Sequence, residues 1–339
     1  MKKILVSGGM GYIGSHTTVE LLNLGYEVII ADNLSTSSKE VLPAIEEITG
    51  RKPVFVEIDL ADEKATNRFF EEHTNIDAII HFAAHKSVNE SVDIPLKYYR
   101  NNLFSMVNVL SNMEKHGIKN LVFSSSCTVY GQADPLPVKE DSPVQTAENP
   151  YGNTKQICEE MIHDTSLAVD IKAIALRYFN PIGAHESAKI GELPIGVPNN
   201  LVPYITQTGI GKRECLSVFG KDYNTKDGTA IRDYIHVVDL AKAHIIAIER
   251  LLNNNNKKAY EIFNLGTGNG YSVLEAIQSF EKVSGLKLNH KLVDRRKGDI
   301  EQIWADTEYA NQELGWKAER GLDEMLLSAW KWEQHLAKK

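Results

Sequence analysis

Short apolar runs alternate with longer amphipathic stretches through the first half of the chain. Ile4-Leu5-Val6, Val28-Ile29-Ile30-Ala31, Val54-Phe55-Val56, Ala78-Ile79-Ile80 and Leu121-Val122-Phe123 are apolar at consecutive positions. Strands of that kind belong to sheets covered on both faces. Between them, 12–25, 38–49, 62–73 and 95–116 carry helical patterns, and Ile171–Leu176 reads as one more strand. Alternation of buried strand and amphipathic helix predicts a parallel sheet with crossover helices on both faces. The pattern changes after Arg177: residues 181–230 hold many Gly and Pro and few periodic runs. Helices return at Asp239–Leu252, 272–284, 306–314 and Leu322–Leu336, with Gly285 and Gly315 as C-caps. This divides the chain into a domain over 1–180, joined by the segment 236–252, and a smaller, irregular C-terminal α/β lobe over 181–339.

At 339 residues the chain can bury a large core without disulfide or metal. Apolar residues make up 42% and charged residues 24%, which excludes general disorder. A formal charge of −8 argues against a nucleic-acid partner held by a general electrostatic footprint. The three cysteines, Cys127, Cys158 and Cys215, form no C-x-x-C pair and fit reduced thiols in a cytosol. No apolar run approaches the length of a membrane span, and the apolar residues after Met1-Lys2-Lys3 read as a strand rather than a leader. A cytoplasmic protein with no metal and no membrane partner is the expectation.

The segment Ser7-Gly8-Gly9-Met10-Gly11-Tyr12-Ile13-Gly14 lies between the first strand and the first helix. Glycines at this spacing permit a tight turn, close approach of backbone to a pyrophosphate and close helix–strand packing. The helix N-terminus then offers free N–H groups and a positive dipole to the phosphates. Asp32 ends the second strand, where a carboxylate accepts from ribose hydroxyls and repels a 2′-phosphate. Together they predict a Rossmann-type, doubly wound fold that binds NAD. Asp59, after the third strand, can touch adenine or serve equally well as a turn or cap residue.

Tyr151 and Lys155 stand four apart near the start of a predicted helix and so share one face. A neighbouring ammonium, with the charge of oxidised nicotinamide, lowers the pKa of a phenol from its usual value near 10. Tyr151 is then a general base for an alcohol under oxidation. Ser126, in Ser124-Ser125-Ser126, is placed to relay the proton of a sugar hydroxyl to it. Cys127 reads as a packing residue and His236 as a structural one.

With these motifs the chain resembles the extended short-chain dehydrogenase/reductases, and within them the epimerases of UDP-hexoses. The matching pieces include His81-Phe-Ala-Ala84, Phe123-Ser-Ser-Ser-Cys-Thr-Val-Tyr-Gly131, Pro150-Tyr-Gly-Asn-Thr-Lys155 and Leu176-Arg-Tyr-Phe-Asn-Pro181. Further on come Pro198-Asn-Asn-Leu201, Asp227-Gly-Thr-Ala-Ile-Arg-Asp-Tyr-Ile-His236, Phe263-Asn-Leu-Gly266 and Arg295-Arg-Lys-Gly-Asp299. The resemblance spans nearly the whole chain. It implies interconversion of UDP-glucose and UDP-galactose through a 4-keto sugar on NAD, in a homodimer.

The resemblance also assigns a cofactor site: Gly8, Gly11, Tyr12, Ile13, Gly14, Asp32, Asn33, Asp59, Leu60, Phe82, Ala83, Lys86, Asn101, Tyr151, Lys155 and Tyr178. It assigns Ser126, Asn180, Asn200, Leu201, Phe219, Arg232, Arg296 and Asp299 to the UDP-sugar. Arg232 and Arg296 suit a pyrophosphate, which guanidinium grips bidentately; Phe219 is alternatively a core residue. The related dehydratases carry Thr-Asp-Glu where this chain has Ser126-Cys127-Thr128, and loss of water needs that acid pair. Four places after Asp299, where the resemblance puts a residue beside the sugar, stands Ile303. Ile leaves more room than Tyr, which predicts acceptance of N-acetylated UDP-sugars; a strict enzyme with Ile303 in the core is the alternative.

Overall fold

The computed structural model describes residues 1–296 and 299–338. The first part alternates strand and helix: β1 Lys3–Ser7, α1 Tyr12–Asn23, β2 Glu27–Asp32, α2 Val41–Thr49, β3 Val54–Glu57, α3 Glu63–Glu72, β4 Ala78–His81, α4 Val88–Asp93, α5 Pro95–His116, β5 Asn120–Ser124, α6 Pro150–Ala168 and β6 Lys172–Tyr178. There follow β7 Asn180–Ile182, α7 Leu201–Gly209, β8 Leu216–Phe219, β9 Ile231–His236, α8 Val237–Leu252, β10 Tyr260–Leu265, β11 Gly270–Ser272, α9 Val273–Ser284, β12 His290–Val293, β13 Gln302–Ile303 and α10 Leu322–Leu336.

Seven strands form one parallel sheet in the order β10-β6-β5-β4-β1-β2-β3. Successive side chains of a strand point to opposite faces, and each run feeds two cores. Ile4, Val6, Val28, Ile30, Ala78, Ile80, Val122, Ile174 and Leu176 pack with α1 and α8 on one face. Leu5, Ile29, Ala31, Ile79, Leu121, Phe123, Ala173 and Ala175 pack with α3, α5 and α6 on the other. Both faces are buried, which is why these strands read as unbroken apolar runs.

The chain crosses the boundary expected at residue 180 more than once. Helix α8 packs against the first core and β10 joins the large sheet beside β6. The remainder builds a second sheet of β11-β9-β13 with β7 on β9, a β12-β8 pair, and a third core under α7, α9 and α10. Residues 306–314, expected as an ordinary helix, contain a π-helical turn over Ala310–Leu314 that ends at Gly315 in the left-handed region.

The winding of the large sheet reverses between β1 and β4, since β2 and β3 lie to one side and β5 and β6 to the other. A crevice opens at the carboxyl ends of strands where such a reversal occurs.

Candidate active site

The crevice is a cleft of about 1130 Å³ lined from both parts of the chain. At one end is the glycine turn. Gly8 has φ of +73°, and a Cβ on Gly14 would lie 2.3 Å from the Gly8 carbonyl oxygen. Only glycines let β1 and α1 meet this closely. The N-cap of α1 is Gly11, and no side chain caps it. The first N–H groups of a helix have no intrahelical partner, so here they face the cleft with the dipole behind them. This bare cradle, kept open by glycines that a Cβ would block, fits a dinucleotide pyrophosphate.

Asp32 is buried behind the turn. Its Oδ2 accepts from the Met10 amide at 3.0 Å, and its Oδ1 accepts from the Leu34 amide and the Ser37 hydroxyl at 2.9 and 2.8 Å. The carboxylate thereby ties the glycine turn to the loop after β2, and a carboxylate has acceptor capacity left over for a ribose. Asp59 lines the cleft and also caps its own turn, accepting from the Ala61 amide at 2.9 Å.

Tyr151 and Lys155 open on the middle of the cleft from α6. Asn149 starts that helix by accepting from the Gly152 amide at 2.9 Å, and Pro150 occupies the first turn. Tyr151 therefore sits in the first turn, where the helix dipole favours an anion. Lys155 is buried; its Nζ donates to the Ser124 carbonyl at 2.6 Å and lies 4.7 Å from the Phe123 ring centre and 5.9 Å from that of Tyr151. Burial pushes its ammonium down to about 8.

The phenol of Tyr151 is the main departure from expectation. Burial lifts it well above its ordinary value; Tyr178 adds to the rise, and a hydrogen bond with Ser126 works against it. In this state the group is a protonated acid. Tyr178 on β6 is likewise raised to about 12 by burial, and accepts from the Ser124 hydroxyl at 3.1 Å.

At the far end Arg232 donates from Nη1 to the Ile231 carbonyl at 2.8 Å and from Nη2 to that of Ile300 at 2.7 Å. Arg296 is paired with Asp299, Nη2 to Oδ1 at 2.7 Å, and both line the cleft. Lys297 and Gly298, in the same motif, lie outside the described residues. Asn180, Asn200 and Ile303 also line it, as do Leu60, Phe82, Ala83, Lys86, Asn101 and Asn33. Ile303 is 1% exposed and backs onto a cluster with Cys127, Val129, Tyr130, Val138 and Phe179.

Three expected residues are not on the cleft wall. Ser126 is buried at its edge, where its hydroxyl accepts from the Thr128 amide at 3.2 Å. Leu201 begins α7 and packs on the third core. Phe219 is 42% exposed, so it is no core residue; its ring lies 5.5 Å from the Arg296 guanidinium. Cys127 is buried with its thiol raised to about 12 by that burial, and His236 caps α8 by accepting from the Val238 amide at 3.0 Å.

One residue on the wall escaped the sequence reading. Glu192 accepts through a single oxygen from Lys86 Nζ at 3.3 Å and Asn200 Nδ2 at 2.6 Å, bridging the two sides of the cleft. Its segment lies in the aperiodic Gly/Pro-rich region, where no local pattern marks it. Among the described residues no group of histidine, cysteine and carboxylate side chains could hold a metal ion, and no helix is long and apolar enough to cross a membrane.

Comparison with known proteins places this geometry. The family profile described as GDP-mannose 4,6 dehydratase matches residues 5–328. UDP-glucose 4-epimerase of Bacillus subtilis (strain 168) is 55% identical over 331 residues, covering 97% of this chain and 96% of the relative. The crystal structure of UDP-glucose 4-epimerase from Stenotrophomonas maltophila, with bound NAD and formylated UDP-arabinopyranose, superposes with a TM-score of 0.95 at 46% identity, over 100% of this chain and 99% of that one. That from Bifidobacterium longum, in complex with NAD+ and UDP, gives 0.94 at 45% identity, over 98% of each chain.

Proposed function

The chain belongs to the UDP-glucose 4-epimerases of the extended short-chain dehydrogenase/reductase family, and from that premise we propose the residues through which it works. It is an isomerase that interconverts UDP-glucose and UDP-galactose with NAD. Dehydration is not favoured, since Ser126-Cys127-Thr128 offers no carboxylate.

Residues 1–180, with α8 and β10, hold the cofactor in this reading, and the rest of the chain holds the UDP-sugar. The α1 N-terminus with Gly8, Gly11 and Gly14 takes the NAD pyrophosphate, Asp32 the adenosine ribose, and Lys155 the nicotinamide ribose. NAD, when bound, supplies the redox chemistry at sugar C4, taking up hydrogen there and returning it to either face.

Tyr151 accepts the proton of the 4-hydroxyl, directly or through Ser126, and gives it back after the keto sugar has turned. Lys155 stabilises the phenolate while the proton is away. Arg232, Arg296 and Asn200 grip the UDP, leaving the hexose end free to rotate. Arg296 must exchange its Asp299 partner for phosphate to do so. The observation that carries this reading is the buried Tyr151–Lys155 face opening on a cleft between an uncapped helix N-terminus and two arginines. Tyr151→Phe should lower turnover of UDP-galactose at least about 100-fold, with UDP affinity little changed. A mutant with near wild-type turnover removes Tyr151 from the mechanism.

The enzyme also interconverts UDP-N-acetylglucosamine and UDP-N-acetylgalactosamine in this reading, supported by the aliphatic Ile303 on the cleft wall. The active form is a homodimer, supported by the outer face of α5, where Leu96, Phe104 and Val107 are 76%, 52% and 46% exposed. The three unpaired cysteines are in keeping with a cytoplasmic setting.

A further inference from the structure

Beneath the catalytic face of α6 lies a buried ion pair that the mechanism leaves unused. Glu159 is one helical turn beyond Lys155 and two beyond Tyr151. Its side chain is 8% exposed and that of its partner Arg177, on β6, 4%. Arg177 donates from Nε to both carboxylate oxygens at 3.0 and 3.2 Å and from Nη2 to Oε2 at 2.5 Å. The Ser125 hydroxyl donates to Oε1 at 2.5 Å. Arg177 also donates from Nη1 to the Tyr130 hydroxyl at 2.9 Å.

A buried ion pair is weak support for stability, because apolar residues of equal volume serve as well or better. Its placement points to another use. The last residue of β5 and the one after it hold consecutive turns of α6. The Ser124 carbonyl accepts from Lys155, and the Ser125 hydroxyl donates to Glu159. Ser126, the next residue, acts on Tyr151 by holding its phenol down against the rise from burial.

Charge points the same way. Around Lys155 stand His81 on β4 and Tyr151, Cys158 and Glu159 on α6; Arg177 and Tyr178 on β6 stand beside Glu159 and Tyr151. Burial keeps His81, Tyr151, Cys158 and Tyr178 neutral at pH 7. Of these groups Glu159 is the carboxylate, and the buried cation it pairs with is Arg177.

We propose that Glu159, held by Arg177 and Ser125, is a positioning residue for the reaction: it clamps the Tyr151–Lys155 face of α6 onto the Ser124–Ser126 turn and balances the Lys155 ammonium. This rests on the assignment of Tyr151 and Lys155 above. Glu159→Gln keeps the size of the side chain and the acceptor for Ser125 but removes the charge.

In NAD-loaded enzyme with 13C-labelled lysine, the Cε shift of Lys155, assigned against Lys155→Met, reports its titration directly. In Glu159→Gln that titration should move to lower pH, because removal of an opposite charge disfavours the ammonium. The alkaline limb of kcat should move with it, while KM for UDP-galactose changes little. Glu159→Asp, which restores the charge on a shorter stem, should return the titration toward wild type yet leave kcat low.

A Lys155 titration that stays in place in Glu159→Gln overturns the proposal. Should Glu159→Gln not fold, Ser125→Ala removes the clamp and keeps the ion pair: a lower kcat at unchanged KM supports the proposal, and a wild-type kcat overturns it. Wild-type turnover in Lys155→Met sinks the underlying assignment instead. An inactive Lys155→Met beside a Glu159→Gln of unchanged titration and turnover sinks the positioning role alone.

Discussion

Replacing Lys155 by Met should abolish most of the activity and yet make the protein more stable at neutral pH. The ammonium is held at about 8 by burial, against an ordinary value of 10.5. A gap of about 2.5 units is worth about 3 kcal/mol at ~1.36 kcal/mol per unit. The pKa is lower in the folded state, so the unfolded chain binds more protons between the two values and stability rises with pH across that interval. Below about 8 the full cost of burying the charge is present; above about 10.5 both states are neutral and it vanishes. Met removes the charge but also the hydrogen bond to the Ser124 carbonyl, a loss of about 0.5–1.5 kcal/mol. The net gain at pH 7 is therefore about 1.5–2.5 kcal/mol. Urea denaturation of both proteins at neutral pH and above the lysine's ordinary pKa measures it. A mutant less stable than wild type at pH 7, or a difference that does not shrink at high pH, would refute the reasoning.

Two other outcomes follow from the cleft and the surface. Ile303→Tyr should suppress turnover of UDP-N-acetylgalactosamine and spare that of UDP-galactose, measured by paired kcat/KM values; overfilling a packed wall costs about 1–3 kcal/mol. If wild type has no N-acetyl activity and Ile303→Ala creates none, the wall does not set the choice of sugar. Sedimentation should show a dimer that Phe104→Glu dissociates; an unchanged dimer places the interface elsewhere.

The sheet was legible because its strands are buried on both faces: Ile4, Leu5 and Val6 divide between two cores, leaving no polar alternation to confuse with a helix. The glycine turn was legible because sterics decide it, and a Cβ at Gly14 has no room. The second part was not. Strands such as β7, β8 and β13 have two to four residues, and each is paired to segments distant in sequence. The entry of β10 into the large sheet beside β6, from which it is separated in sequence by β7 to α8, has no local signature.

The site divides in the same way, and the electrostatics of Tyr151 show where sequence reasoning stops. The Tyr-x-x-x-Lys spacing correctly puts both side chains on one helical face, since helix geometry fixes that. It then counts the ammonium as a neighbour that lowers the phenol. What it omits is the wall around both groups. Burial acts on Tyr151 and Lys155 together, raising the acid and lowering the cation, so each is pushed toward its neutral form. A phenol that keeps its own proton cannot accept that of a bound alcohol, so Tyr151 must first be brought to the phenolate. The forces that bring it to working charge are non-local: the positive end of α6, the Ser126 hydroxyl, the charge of the cofactor, and on the Lys155 side a carboxylate clamped from another strand. Glu159 lies four residues from Lys155 and is visible in the sequence, but that its charge is buried depends on Arg177 and Ser125 folding around it.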